Sequence, residues 1–176
     1  MSRRGRPPPR RWRRQTPGTD PRKASACPEL NTATDVAPGK PEPSGPGLFD
    51  ECQASIESGF PAAEGFPGAA AMLLADDTVL VGTAPEVLNA GVELCHETEP
   101  FCAACRMGQC LVASICLARH PDGRYLVLNP CGVCRERLAI QGPGVMVAVA
   151  HPDDPTTPTW KRLKDVHLDY WVTPAE

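Results

Sequence analysis

The sequence predicts an α/β fold, a three-layer α/β/α sandwich around a mixed five-stranded sheet. Three observations lead there. Residues 111–118 (LVASICLA) and 145–150 (VMVAVA) are continuous apolar runs, the mark of strands covered on both faces. Segments with helical spacing precede and separate them, and strands interleaved with helices pack in layers about one sheet. A hairpin-like pair of short runs at 69–74 and 78–82 brings antiparallel strands to the same sheet.

Taken in chain order, residues 1–47 hold ten of the 21 prolines and few large apolar side chains. Such a tail cannot bury enough surface to offset its conformational entropy and is expected to be disordered. The folded domain is expected over 48–176. In LFDECQASIESGF, Leu48, Cys52 and Ile56 recur every four residues, one stripe of a short helix. The first two strands, 69–74 and 78–82, flank a turn at Asp76-Asp77. Residues 95–107 suit a helix closed by Gly108. After the run at 111–118, the turn Pro121-Asp122-Gly123 leads to a strand at 125–128. A second internal helix is expected at 131–140 and another buried strand at 145–150. The amphipathic stretch 160–171 reads as a strand followed by a helical turn.

Composition narrows the function. No run approaches the roughly 18 apolar residues of a membrane span, and the basic N-terminus lacks the apolar core of a secretory signal. A cytoplasmic protein without a membrane partner is expected. Nine cysteines in such a chain point to thiolate chemistry or a metal before a disulfide framework. The net charge of −3 conceals a division. Residues 1–40 carry ten basic and three acidic side chains, net +7, so the remainder stands at −10. Polyanions would be attracted to the tail and repelled by the body, which argues against nucleic acid as the partner.

Two short motifs bear the chemistry: Cys95-His96-Glu97 and, 36 residues after Cys95, the segment Pro130-Cys131-Gly132-Val133-Cys134. Each sits where a loop or strand hands over to a helix, and helix N-termini offer unpaired N–H groups and positive dipole charge to a thiolate. Cys95, Cys131 and Cys134 converging there would hold Zn²⁺ with a fourth position left open, the layout of a catalytic site. Glu97 lies two residues beyond the first ligand, close enough to move protons without ligating. A ligand-x-Glu motif followed by Pro-Cys-x-x-Cys is the zinc-deaminase signature.

At these residues the chain resembles the cytidine deaminase family. FPGAAAMLLADDTVLVGTAPE stands against the family's FxVGAALL…G.NVE pattern, NPCGVCRERL against SPCGxCRQxL, and LKDVHLDYW against its C-terminal LLPxxF or LLPxxYxW ending. The resemblance implies Cys95, Cys131 and Cys134 as zinc ligands and Glu97 as the proton shuttle. It implies Glu86 as a sugar-binding acid, Phe66 as an aromatic near the base, and Arg135 as a cation offsetting the charge of three thiolates. Three positions depart from the family. Ala84 stands at the ribose-binding Asn, Thr98 at an arginine that commonly follows the glutamate, and His96 at a small alanine whose backbone lines the base pocket. The implied activity is hydrolytic deamination of a small cytosine nucleoside in pyrimidine salvage, by a homo-oligomer, tetramer or dimer.

Other readings compete. Ala84 admits a cytosine nucleoside antibiotic of the blasticidin-S type as substrate. Cys102 and Cys105 form another C-x-x-C, which with Cys131 and Cys134 would make a closed structural zinc site. Against this, Cys102, Cys105, Cys110 and Cys116 read more simply as small buried hydrophobes. A noncatalytic relative that keeps zinc for stability is the third.

Overall fold

The computed structural model describes residues 47–61 and 65–167. The proline-rich tail and the end of the LKDVHLDYW segment lie outside them. The elements are helix α1 (Leu48–Gly59), strands β1 (Gly68–Leu74) and β2 (Val79–Gly82), helix α2 (Thr98–Met107), strands β3 (Leu111–Arg119) and β4 (Tyr125–Val127), helix α3 (Gly132–Ala139), strands β5 (Met146–Ala150) and β6 (Pro158–Arg162), and the short helix α4 (Leu163–Val166). The sheet runs β2-β1-β3-β5-β6, with β4 paired to the far end of β3. That is the expected five-strand path with a sixth, three-residue strand appended. Strands β3 and β5 are parallel and every other pair is antiparallel, so the sheet is mixed.

Alternation along the strands sorts side chains into two layers. On one face Ala69, Ala71 and Leu73 of β1 join Ala113, Ile115 and Leu117 of β3, and α1 covers them with Leu48, Cys52 and Ile56. This is the stripe anticipated from the four-residue spacing. Fully burying a side chain such as Ile56 contributes about 1.5–3 kcal/mol. On the other face Met72, Leu74, Val145 and Val147 pack against Ala104 of α2 and Leu138 of α3. Strand β1 is buried along its whole length, which is why its sequence GAAAMLL shows no polar alternation.

Local chemistry sets the element ends. In the β1–β2 turn Asp77 takes a left-handed φ of 66°, and Asp76 Oδ1 accepts from the Thr78 N–H at 3.1 Å. Gly108 closes α2 in the left-handed region at φ 66°, the expected stop. The start of α2 differs from expectation: the helix begins at Thr98 and not at Cys95. Pro100 is the reason. It has no N–H to give the carbonyl of residue 96, and proline is accommodated only in a helix's first turn. The first α-helical bond is therefore Phe101 N–H to the Glu97 carbonyl, 3.2 Å.

The cysteines of α2 also differ from expectation. Cys102 and Cys105 are exposed, because the buried face of α2 is made by Pro100 and Ala104. Cys116 is buried as anticipated, whereas Cys110 is disulfide-bonded.

Candidate active site

Two helix N-termini meet over the second face of the sheet. One is the turn Cys95–Glu97 entering α2, where the Thr98 N–H bonds the Cys95 carbonyl at 2.9 Å. The other is Cys131, which caps α3 in an extended conformation. Their convergence brings the sulfur atoms of Cys95, Cys131 and Cys134 within 4.8 Å of one another, with 3.3 Å between those of Cys95 and Cys131. Thiolates 2.3 Å from a single tetrahedral zinc stand about 3.8 Å apart. Among the described residues this is the only such group, and Cys102 and Cys105 do not join it.

Glu97 is only 6% exposed. Its Oε1 accepts from the Ser114 hydroxyl at 3.4 Å, and the Cys134 thiol also lies within hydrogen-bond reach of the carboxylate. Burial pushes the Glu97 carboxyl above the usual range, with Ser114, Cys134 and the charge of Arg137 pulling the other way. Burial and the neighbouring Cys131 raise the Cys95 thiol against an opposing pull from Cys134, and burial and the Glu97 charge raise Cys134. Burial would raise Cys131 too. Backbone N–H groups at the start of α3 and the other two thiols outweigh it and hold Cys131 below its usual value. Three sulfurs and a carboxylate this close cannot all be anionic without a cation among them. The donor set thus fits zinc, a thiolate-binding cation with tetrahedral habits.

A cavity of about 360 Å³ opens beside these groups, lined by Glu93, Leu94, His96, Glu97, Cys116 and Asn129 among others. Asn129 is fixed there, its Oδ1 accepting from the Ala150 N–H at 2.8 Å. His96 is half-buried, and its Nδ1 accepts from the Ala84 N–H at 2.9 Å, tying the loop after β2 to the cavity wall. Burial lowers the His96 pKa, which favours the neutral, accepting ring. The ring packs so closely on β1 that a Cβ at Gly68 would stand 2.5 Å from its Nε2.

Other residues singled out by sequence lie elsewhere. Glu86 is exposed on the loop after β2 and does not line the cavity. Phe66, 60% exposed, stacks edge-on against His120 with ring centres 5.4 Å apart. Arg135 Nη1 donates to the Val166 carbonyl of α4 at 2.7 Å, while its buried Nε has no partner among the described residues. It lines a second cavity, of about 380 Å³, with Lys161 and Asp165. Sequence reasoning missed Ser114, Arg137 and Glu93. Ser114 left a signal as the polar residue inside an apolar run. Arg137 left none, since Thr98, which its guanidinium contacts, is 39 residues away.

No protein-family model matches the chain. It is 36% identical over 105 residues to a cytidine deaminase of Mycobacterium tuberculosis, an alignment covering 59% of this chain and 71% of that one. Among solved structures it resembles the cytidine deaminase of Bacillus anthracis, with 36% identity and a TM-score of 0.64 over 70% of this chain and 86% of that one. The M. tuberculosis crystal structure aligns with a TM-score of 0.52 at 27% identity, covering 71% and 98%. The fold and these relatives define the class of protein: an α/β/α enzyme, a hydrolase of the deaminase kind. Within that class, the chain belongs to the cytidine deaminase family.

Proposed function

We propose that this enzyme removes the 4-amino group of a cytosine nucleoside by hydrolysis, giving the uracil form and ammonia. The reading rests foremost on one observation: three cysteine sulfurs within 4.8 Å stand beside a buried carboxylate at the edge of a cavity. Cys95, Cys131 and Cys134 hold zinc. Bound there, zinc would supply a Lewis acid that lowers the pKa of water beside C4 of the ring. The Glu97 carboxylate takes the proton from the attacking water and passes it to N3. It then moves the proton of the new C4 hydroxyl to the amino group, and the C4–N bond breaks as the C4 carbonyl forms, releasing ammonia. Ser114 holds one carboxylate oxygen, leaving the other to work. His96 and Asn129 shape the base-binding cavity.

A second reading concerns the substrate and has its own support. The Ala84 N–H is already bonded to His96 and exposed Glu86 is not among the residues lining the cavity, so the groups expected at the sugar are not gathered. This favours a nucleoside with a modified sugar, such as an antibiotic of the blasticidin-S type. For the assembly we propose a homo-oligomer, tetramer or dimer. Exposed Leu88, Val92 and Leu94 beside the cavity support it. A cytoplasmic location is consistent with no helix among the described residues being long and apolar enough to cross a membrane. Residues 1–47 are proposed to be dispensable for turnover by the domain at 48–176.

The test is ammonia release from cytidine, deoxycytidine, cytosine and blasticidin S by zinc-quantified protein, with Glu97→Ala as control. Turnover of one of them, abolished in Glu97→Ala at unchanged zinc content, is the expected result, and the preferred substrate decides between the two readings. About one zinc per chain without turnover of any would favour a noncatalytic relative. Absence of zinc from fully reduced protein would overturn the metal assignment.

A further inference from the structure

The two halves of the site ride on separate helices. Cys95 and Glu97 lead into α2, whereas Cys131 and Cys134 open α3. Helix α3 has eight residues and buries only Cys134 and Leu138, so apolar packing gives little to fix its angle against α2. Arg137 spans the gap. It sits one turn beyond Cys134, half-buried, and its Nη1 donates to Thr98 Oγ1 at 2.8 Å. Thr98 is the first residue of α2 and the immediate neighbour of Glu97. The guanidinium also lies near enough for its charge to act on the Glu97 carboxylate. Arg135, the nearer arginine in sequence to the ligands, reaches away to the Val166 carbonyl instead.

We propose that Arg137 is a positioning residue: by gripping the Thr98 hydroxyl it keeps the N-terminal turn of α2, and Glu97 with it, in register with the cysteines of α3. The proposal rests on the deaminase reading given above and assigns this reaction a residue outside its cysteine and glutamate motifs. The physical demand is plain. A reacting group misplaced by about 1 Å costs on the order of 100-fold in rate, and a turn that enters its helix from a loop has that freedom unless something outside the turn holds it. A planar guanidinium on a hydroxyl fixes direction as well as distance, which a flexible ammonium does less well.

The experiment is a double-mutant cycle on full-length protein with Arg137→Ala, Thr98→Val and the pair, and with Arg137→Lys as the conservative variant. Cytidine kinetics are measured beside the rate of zinc release to a chromophoric chelator. Expected is a kcat lowered about 10- to 100-fold in Arg137→Ala with KM within about twofold, a like change in Thr98→Val, and a double variant no worse than the poorer single. Arg137→Lys recovers part of the loss. Zinc release is faster in the same variants with the same lack of additivity. Wild-type kcat and zinc release in Arg137→Ala, a loss confined to KM, or effects that multiply in the double variant would each overturn the proposal. Should Arg137→Ala not fold, Thr98→Val and Arg137→Lys decide it by the same two readouts. A wild-type protein that turns over no cytosine compound would sink the deaminase reading, and the zinc-release cycle would still judge the brace.

Discussion

The two faces of the sheet are built for different tasks. The face under α1 is apolar throughout, from Ala69 to Leu117, and among the described residues α1 is the helix that covers it. The face under α2 and α3 is apolar only over part of its length. Beyond Met72 and Val147 it turns polar, with Ser114, Cys116 and Glu97 buried beneath two helix N-termini. Buried polar groups cost free energy unless they are paired, so the second face gives up cohesion to hold reactive groups in place. Stability and chemistry are thereby separated across the thickness of one sheet, and substitutions on the two faces should give different signatures.

The widest contrast is expected at Glu97. General acid–base catalysis contributes about 10²–10⁴-fold, so Glu97→Gln should lose at least that in turnover. Its melting temperature should not fall, since the change removes a buried charge; calorimetry beside the ammonia assay checks both. Ile56→Ala tests the opposite face. It empties a fully buried site under α1 and should cost about 2–5 kcal/mol in denaturant titration, while kcat per folded molecule stays at the wild-type value. A drop in kcat there would mean that the faces are coupled. Ser114→Ala is intermediate. It deletes one hydrogen bond to the Glu97 carboxylate, worth roughly 1.5–3 kcal/mol for a charged acceptor, and should slow turnover more than it lowers the unfolding midpoint. The smallest effect is chemical. Burial pushes the Cys52 thiol of α1 up to about 12, so it stays protonated through the neutral range. Cys102 and Cys105 of α2 are exposed. Brief alkylation at neutral pH followed by peptide mass mapping should find Cys102 and Cys105 modified and Cys52 untouched.

The first face was almost wholly legible from sequence because its rules are local. Leu48, Cys52 and Ile56 declare a stripe by spacing alone, and the runs of β3 and β5 declare burial on both sides. The second face was legible only where a motif compressed it into a few positions, as at Cys95-x-Glu97 and Cys131-x-x-Cys134. What escaped there depends on separations that no window spans. Arg137 and Thr98 are neighbours only because two helices meet, and Ser114 meets Glu97 only because the turn entering α2 comes down on β3. The exposure of Cys102 and Cys105 was misjudged for a related reason. Helical spacing identifies a face, but the packing of Pro100 and Ala104 on the sheet decides which face is inward.

The contact between His96 and Gly68 constrains the order in which this site can change. An added Cβ at residue 68 would meet the imidazole at 2.5 Å and the Leu117 carbonyl oxygen at 2.8 Å, and a packed interior has no slack for either. Trimming His96 to alanine would lift the first obstacle and also release the Ala84 N–H that the ring now occupies. The backbone obstacle would remain. A lineage or a library seeking a different cavity wall therefore has to pass through residue 96 first, and position 68 opens to larger side chains only if β1 and β3 also part slightly. The histidine is the first step on that path and the glycine the last.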